Sequence, residues 1–468
     1  MITAVPRGPA PTRWRGRCRG TACETERRRT RLVRRAVPRL RGAFRSPVPP
    51  VRTPQGPGRG CPARNVTGRG LRCSLAAAAI PARRTHPRRT PFGFSRGGPT
   101  TMAESDGDSA IRTAPQRAAA LLARVIALGV TDAASVARDG ARLTPHHSRH
   151  RNVRLARRDG RGWFLKEGDG GSGFGTIAHE RSAYRALSAL LPPGPALGVP
   201  EVAAYDAAAD LLVLALVPDA TDLARIAQAG EPLGALPAAL GTALATLHGV
   251  DAAAARAQGI PVHLGTTIFQ LDAPTVGQYC RFSRAQIELV TALQAQRGVM
   301  DALARLGEAW RPERLIHFDI RLANVLAADG RLTLVDFEYL GVGDPRWDMA
   351  GMLAAFLEAW LVSAPLGDPD GGNWRPDEAR FSEASARAAI RTAWEAYRRT
   401  PGAPRIGAAE AARFAGARLV QGAYEHAAGL AEPDARVATL AAMGAEFLED
   451  PERAAAFRLG LSDATVPQ

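Results

Sequence analysis

His317-Phe-Asp319-Ile-Arg321-Leu-Ala-Asn324, then Val335-Asp336-Phe337-Glu338, then Gly343-Asp344-Pro345-Arg-Trp-Asp348: these three stretches decide how the chain reads. Between the first two, Asp329-Gly330 is a two-residue hairpin turn signal. Pairing outward from that turn sets Asn324 opposite Val335, one residue from Asp336. Two oxygen-bearing side chains therefore meet at the open end of one hairpin, which the run 332–335 anchors in a core. Phosphoryl transfer needs a carboxylate to orient an acceptor hydroxyl and take its proton, and oxygen ligands that hold magnesium against nucleotide phosphates. Asp319 suits the first role; Asn324 and Asp336 suit the second. A chain with four asparagines and nine histidines is not expected to gather such a set on an incidental surface hairpin.

Lys166 is the single lysine among 61 basic residues, so a charge that arginine supplies elsewhere is supplied here by an ammonium. It closes the strand Trp163-Phe-Leu-Lys166 on the same face as Phe164. Fourteen residues on, Glu180 lies on the helical stripe Glu180, Tyr184, Leu187, Leu191. A carboxylate on an apolar stripe faces inward and needs a partner, and a Lys166–Glu180 pair supplies one while leaving the ammonium within reach of phosphates.

The net charge of +16 is confined to one end. Residues 1–101 hold 24 Arg against Glu24 and Glu26, and residues 102–468 carry a net −6. The Arg-, Pro- and Gly-rich leader lacks hydrophobic periodicity and is expected to be disordered. It holds no recognisable reading module, so nucleic acid is not expected as a partner. The shift to helical pattern after Met102 makes that residue a second candidate start of translation. Four of the five cysteines fall in the leader, leaving Cys280. That usage, with no signal or spanning segment, points to the cytoplasm and to no membrane partner.

Beyond the leader, residues 102–135 read as a helical extension and 136–218 as a small strand-rich lobe with strands near 136–143, 152–156, 162–167, 202–205 and 211–217 and a helix over 177–191. Residues 219–460 read as a larger, mostly helical lobe, with helices over 237–247, 283–306, 349–362, 382–397, 408–430 and 436–448 and the hairpin 324–336. The fold class is α+β, two-lobed.

The order strand lysine, helix glutamate, hinge, His-x-Asp-x4-Asn, Asp-Phe-Glu and Gly-Asp-Pro-x2-Asp resembles the aminoglycoside phosphotransferase and choline kinase group, which has a protein-kinase-like fold. The resemblance covers roughly residues 110–450. It implies ATP and Mg2+ as cofactors, Asp319 as catalytic base, Arg321 near the transferred phosphate, and Asn324 and Asp336 as metal ligands. It also implies that Lys166, held by Glu180, contacts phosphates, and that Leu214, Ala215, Leu216 and Val217 are a hinge offering backbone groups to adenine. His317, Asp344 and Asp348 would brace the catalytic loop. Two features depart from the pattern. No glycine-rich loop precedes Lys166, where 144–152 puts phosphate contacts on Ser148, Arg149 or main-chain amides, and 168–173 reads as a connector. Phe318 stands where a small or basic residue is usual.

The resemblance implies a hydroxyl of a small molecule, an aminosugar or amino alcohol, as the acceptor, and the mildly acidic balance of the folded part favours a cationic one. A Ser/Thr kinase acting on a peptide in a lanthipeptide-type pathway, or a nucleotide-binding regulator, would use the same residues differently, and the loops 251–282 and 365–380 would form the acceptor surface. A chain beginning at Met102 should fold and bind nucleotide as the full chain does; loss of soluble expression or of nucleotide binding on this truncation would overturn the dispensability of the leader.

Overall fold

Period-two alternation along Trp163-Phe-Leu-Lys166 builds the centre of the first lobe. The computed structural model describes residues 114–147, 151–192, 194, 196–365 and 374–463; the leader, Met102, Ser148, Arg149 and much of the 365–380 loop lie outside them. α1 (Ala114–Ala127) and α2 (Ala133–Arg138) precede a five-stranded antiparallel sheet. Its strands are β1 (Arg142–His147), β2 (Arg151–Ala156), β3 (Gly162–Glu167), β4 (Val202–Asp206) and β5 (Leu211–Ala215), in the order β1-β2-β3-β5-β4. α3 (Ile177–Leu190) follows β3.

Alternate residues serve opposite faces of this sheet. Val153, Leu165, Leu211 and Val213 pack against Leu121 and Val125 of α1. Leu212 and Leu214 turn the other way, into the cluster that holds Tyr184 and Leu187 of α3. Lys166 pairs across the sheet with Asn152 and Leu212, so its side chain emerges on the α3 face. The strand expected over 136–143 is corrected: its first part is α2, N-capped by Asp132, whose Oδ1 accepts from Ser135 N at 2.8 Å. The chain turns at Gly140 (φ +60°) before β1 begins.

The second lobe contains β6 (Thr221–Asp222), α4 (Leu223–Ala229), α5 (Leu236–His248), α6 (Ala252–Ala257), α7 (Arg284–Gln294) and α8 (Arg297–Glu308). The helix expected over 283–306 is two helices. The apolar stripe Leu289, Leu293 would continue near position 296 or 297, where Gln296 and Arg297 stand; a new stripe starts at Val299 and runs through Ala302, Leu303 and Leu306. One straight helix cannot bury both phases, and Gln296 breaks it with φ −99° and ψ 85°.

β7 (Arg314–Ile316), β8 (Val325–Ala328), β9 (Arg331–Leu334) and β10 (Gly341–Gly343) are nested. β8 and β9 form the expected hairpin around Asp329-Gly330, with Val325 opposite Leu334, and β6 adds an edge to it. β7 and β10 pair outside them in sequence, Ile316 opposite Gly341. The two loops between inner and outer pairs, 317–324 and 335–340, therefore run side by side. α9 (Pro345–Ser363) is apolar all round and buried on nearly every face, making it the central helix of the lobe. α10 (Glu383–Arg399), α11 (Ala408–His426) and α12 (Ala435–Glu449) surround it. Among the described residues no helix is long and apolar enough to cross a membrane.

Candidate active site

The loop after β7 is shaped by a carboxylate. Asp348, wholly buried at the start of α9, accepts from His317 N (2.6 Å) and Phe318 N (2.8 Å) and from His248 Nε2 (3.3 Å). Burial opposes its charge, but His248, His317 and the backbone donor hold its pKa below the ordinary carboxylate value. His248 is in turn fixed by the Tyr397 hydroxyl at 2.9 Å. Phe318 is held at φ +74°, and its carbonyl accepts from Trp347 Nε1 at 2.9 Å. His317 Nε2 donates to Val335 O at 2.9 Å and joins this loop to the next one. Asp344, expected to brace the same loop, instead caps α9 at Arg346 N (3.0 Å) and accepts from Arg311 N (2.9 Å).

Asp319 follows Phe318 and is oriented from two sides. Arg321 donates to its Oδ1 from Nε (3.1 Å) and Nη2 (2.9 Å). Asn324 Nδ2 donates to the Asp319 carbonyl at 3.0 Å, leaving its own Oδ1 as an oxygen donor. Val335 N donates to Asn324 O at 3.1 Å, the pairing expected from the turn. Asp336, next along, adopts φ +68° and meets Lys166 Nζ at 2.5 Å.

Lys166 Nζ also lies 2.8 and 2.7 Å from the two Glu180 oxygens. Burial works against the ammonium, but Glu180 and Asp336 outweigh it and keep the group protonated. Burial pushes the Glu180 carboxyl upward, against the pull of Lys166 and with Asp336 adding to the rise. The structure thus brings Lys166, Glu180 and Asp336 together, and Asp319, Arg321 and Asn324 together beside them. Ionised, the Lys166–Glu180–Asp336 group carries a net negative charge, and with Asn324 it offers only hard oxygen donors, which suits magnesium. No cluster of three His, Cys, Asp or Glu able to hold a metal occurs among the described residues, so an ion here would complete its shell with phosphate oxygens and water.

The hinge segment contributes less than its four residues suggest. Ala215 N donates to Glu201 O (2.8 Å) and Leu216 N to Gly162 O (3.0 Å), and the Leu214 side chain is core. At least two of the four backbone N–H groups are thus engaged within the lobe and are not offered to a base. The connector 168–173 is tied back by Asp210, which accepts from Gly168 N through its carbonyl and from Gly170 N through Oδ2, both at 2.9 Å.

A family model described as "phosphotransferase enzyme family" matches residues 142–400, more than half of the chain. The chain belongs to this family. No curated protein matches the phosphotransferase. Solved structures similar to it include macrolide 2'-phosphotransferase from Brachybacterium faecium, at 21% identity over 65% of this chain and 91% of that one, with a TM-score of 0.38. A choline/ethanolamine kinase family protein from Mesorhizobium loti shares 19% identity over 65% and 83%, with a TM-score of 0.38. A streptomycin–ATP ternary complex of an aminoglycoside phosphotransferase shares 12% identity over 69% and 93%, with a TM-score of 0.38.

Several residues of the phosphotransferase site carry no sequence motif. Arg321 Nη2 reaches Glu425 Oε2 on α11 at 3.1 Å, and Arg418 Nη2 donates to Ile320 O at 2.9 Å. A cleft of about 190 Å³ opens beside Arg321, floored by Gly351, Ala354 and Ala355 and walled by Glu358, Glu425 and His426. His426 Nε2 meets Glu358 Oε1 at 2.6 Å, a contact that raises the imidazole pKa. This cleft is walled by helices α9 and α11, and none of its lining residues falls in the 251–282 or 365–380 loops.

Two outcomes are expected. Lys166→Arg should leave the circular dichroism spectrum unchanged and lower kcat about 10²-fold, because a planar fork cannot serve Glu180, Asp336 and a phosphate at once; near wild-type turnover would remove the ammonium from the mechanism. The second concerns His263, buried behind the catalytic loop with Nε2 donating to Tyr339 O at 2.8 Å. Burial, opposed by Asp348 and aided by His179, pushes its pKa from 6.5 to about 3. The unfolded chain then takes up a proton that the folded one refuses, so this stability is complete above about pH 6.5 and declines toward pH 3, by about 1.4 kcal/mol per pH unit. Between about pH 6 and 5, ahead of most carboxylates, the wild type should lose Tm more steeply than His263→Phe; parallel losses would show that the imidazole is not the cause.

Proposed function

We propose that the chain transfers the γ-phosphoryl group of ATP, with Mg2+, to a hydroxyl of a small molecule that carries an amine. The carrying observation is that Asp336, which meets the Lys166 ammonium paired with Glu180, and the Asp319 carboxylate held by Arg321 stand on two adjacent loops. Asp319 orients the acceptor hydroxyl and receives its proton as that oxygen bonds to phosphorus and the bond to ADP breaks. Lys166 holds phosphate oxygens, and Arg321 stands at Asp319 to meet the charge of the transferring group. Asn324 and Asp336 would hold the magnesium ion, which neutralises charge on the triphosphate.

The cleft beside Arg321 supports a small acceptor, and Glu358 and Glu425 on its wall, with the acidic balance of residues 102–468, support an amine on it. The fold alone does not name the acceptor. Turnover with ATP should therefore be profiled against aminoglycosides, amino alcohols, neutral sugars and Ser/Thr peptides; phosphorylation confined to peptides would overturn the acceptor class. Asp319→Asn should retain nucleotide affinity and lose about 10²–10⁴ in kcat. Asp336→Ala should instead lose magnesium-dependent nucleotide binding by calorimetry. Equal loss of ATP affinity in both variants would overturn this division of roles.

A further inference from the structure

Three aromatic rings from separate parts of the chain lie parallel beside the catalytic loop. The Phe174 and His263 ring centroids are 3.9 Å apart with planes 14° from parallel, and His263 and Phe318 repeat the same spacing and angle. Phe174 lies on the loop that leads from β3 into α3, His263 follows α6, and Phe318 immediately precedes Asp319. We propose that Phe174, His263 and Phe318 are a positioning stack for phosphoryl transfer, through which the loop entering α3 fixes the catalytic loop and so the Asp319 carboxylate. The proposal rests on Asp319 being the base.

Phe318 is a costly residue at its position. A bulky side chain at φ +74° carries strain of about 1–3 kcal/mol that a glycine would avoid, and such strain persists only where the surroundings over-determine it. Its N–H is held by Asp348 and its carbonyl by Trp347, so the ring is the remaining handle. His263 stacks on that ring at 3.9 Å, with Trp347 and Tyr339 farther off at 5.9 and 6.1 Å. It is itself immobilised, since its N–H donates to Val342 O (2.8 Å), its carbonyl accepts from Trp310 Nε1 (2.9 Å) and its Nε2 donates to Tyr339 O. Gly341 lies against the imidazole so closely that a Cβ there would collide with it.

The outer ring couples this assembly to the first lobe. Phe174 meets His179 of α3 edge-on at 5.1 Å, and the N–H of its neighbour Gly175 donates to Glu338 O at 2.8 Å. On the same helix Glu180, the next residue after His179, contacts Lys166, and Tyr184, one turn beyond Glu180, contacts Phe337. Phe318 packs on the edge of the core, but Phe174 is only half-buried and belongs to none of the apolar clusters, so filling hydrophobic volume does not account for it.

The test uses the full chain with Phe174→Ala, Phe318→Ala, the double variant, Phe174→Leu and Phe174→Tyr. Each alanine variant should lower kcat about tenfold while KM for ATP stays within about threefold, since small misplacements of reacting groups act on the chemical step. The rings of Phe174 and Phe318 are joined through His263, so the double variant should also lose about tenfold instead of the roughly hundredfold that independent sites give. Leu should behave as Ala, and Tyr, which keeps the ring, should restore turnover. Hydrogen exchange should rise at 317–324 in Phe174→Ala. A hundredfold loss in the double variant, full activity with Leu, or unchanged exchange at 317–324 would each overturn the stack. If the wild type phosphorylates no acceptor, the functional reading fails, and the exchange measurement alone decides whether the rings couple the two loops.

Discussion

One ammonium ties the two lobes together. Lys166 belongs to β3, Glu180 to α3 and Asp336 to the turn after β9, and the three charges meet within 2.5–2.8 Å. Desolvating such groups costs several kcal/mol per ion, which is recovered only when all partners are in place. Strand and helix are thus held to one arrangement, since displacing either would leave a buried charge without its complement, and the partly exposed Asp336 brings the turn to the same ammonium. The apolar contacts agree with that arrangement: Tyr184, one turn beyond Glu180, meets Phe337 edge to face at 5.4 Å.

Asp348 applies the same logic to backbone. Two consecutive N–H groups point at a single carboxylate, which forces the loop into the left-handed turn at Phe318 and presents Asp319 on its outer side. The carboxylate is rigid because it stands in the first turn of α9, a helix buried on nearly every face, and because His248 and Tyr397 back it from α5 and α10. Reacting groups held by packed elements in this way stay where the chemistry needs them, which a mobile loop would not achieve.

How legible the site was follows from how local its causes are. The Asp329-Gly330 turn and period-two pairing were enough to set Asn324 against Val335, and helical spacing was enough to aim Glu180 inward, because each inference spans fewer than twenty residues of one motif. The α2 cap was written in the sequence as Asp132 followed by Ser135, but the apolar residues after it read as a strand. The slip of hydrophobic phase between Leu293 and Val299 was equally visible and decided the break between α7 and α8. Glu358, Glu425 and His426 carry no local mark: they line one cleft only because α9 and α11 pack together, and their partners are 68 to 104 residues away. The stack of Phe174, His263 and Phe318 joins three segments that share no periodicity, so only tertiary packing reveals it.

The use of basic residues shows where geometry, and not charge alone, chooses the side chain. Arginine fills 60 of the 61 basic positions, and around the site it is used as a fork. Arg321 spreads its donors over Asp319 and Glu425, Arg346 over Asp344, Glu410 and Ala309 O, and Arg418 over Ile320 O and Gln421. In each case the acceptors are separated and a planar group with several N–H vectors reaches them together. At Lys166 the acceptors instead converge: three carboxylate oxygens surround one nitrogen, and the donors that meet them must radiate from a single point. An ammonium has that shape and a guanidinium does not. The one lysine in the chain therefore stands at the position whose partners require a point charge.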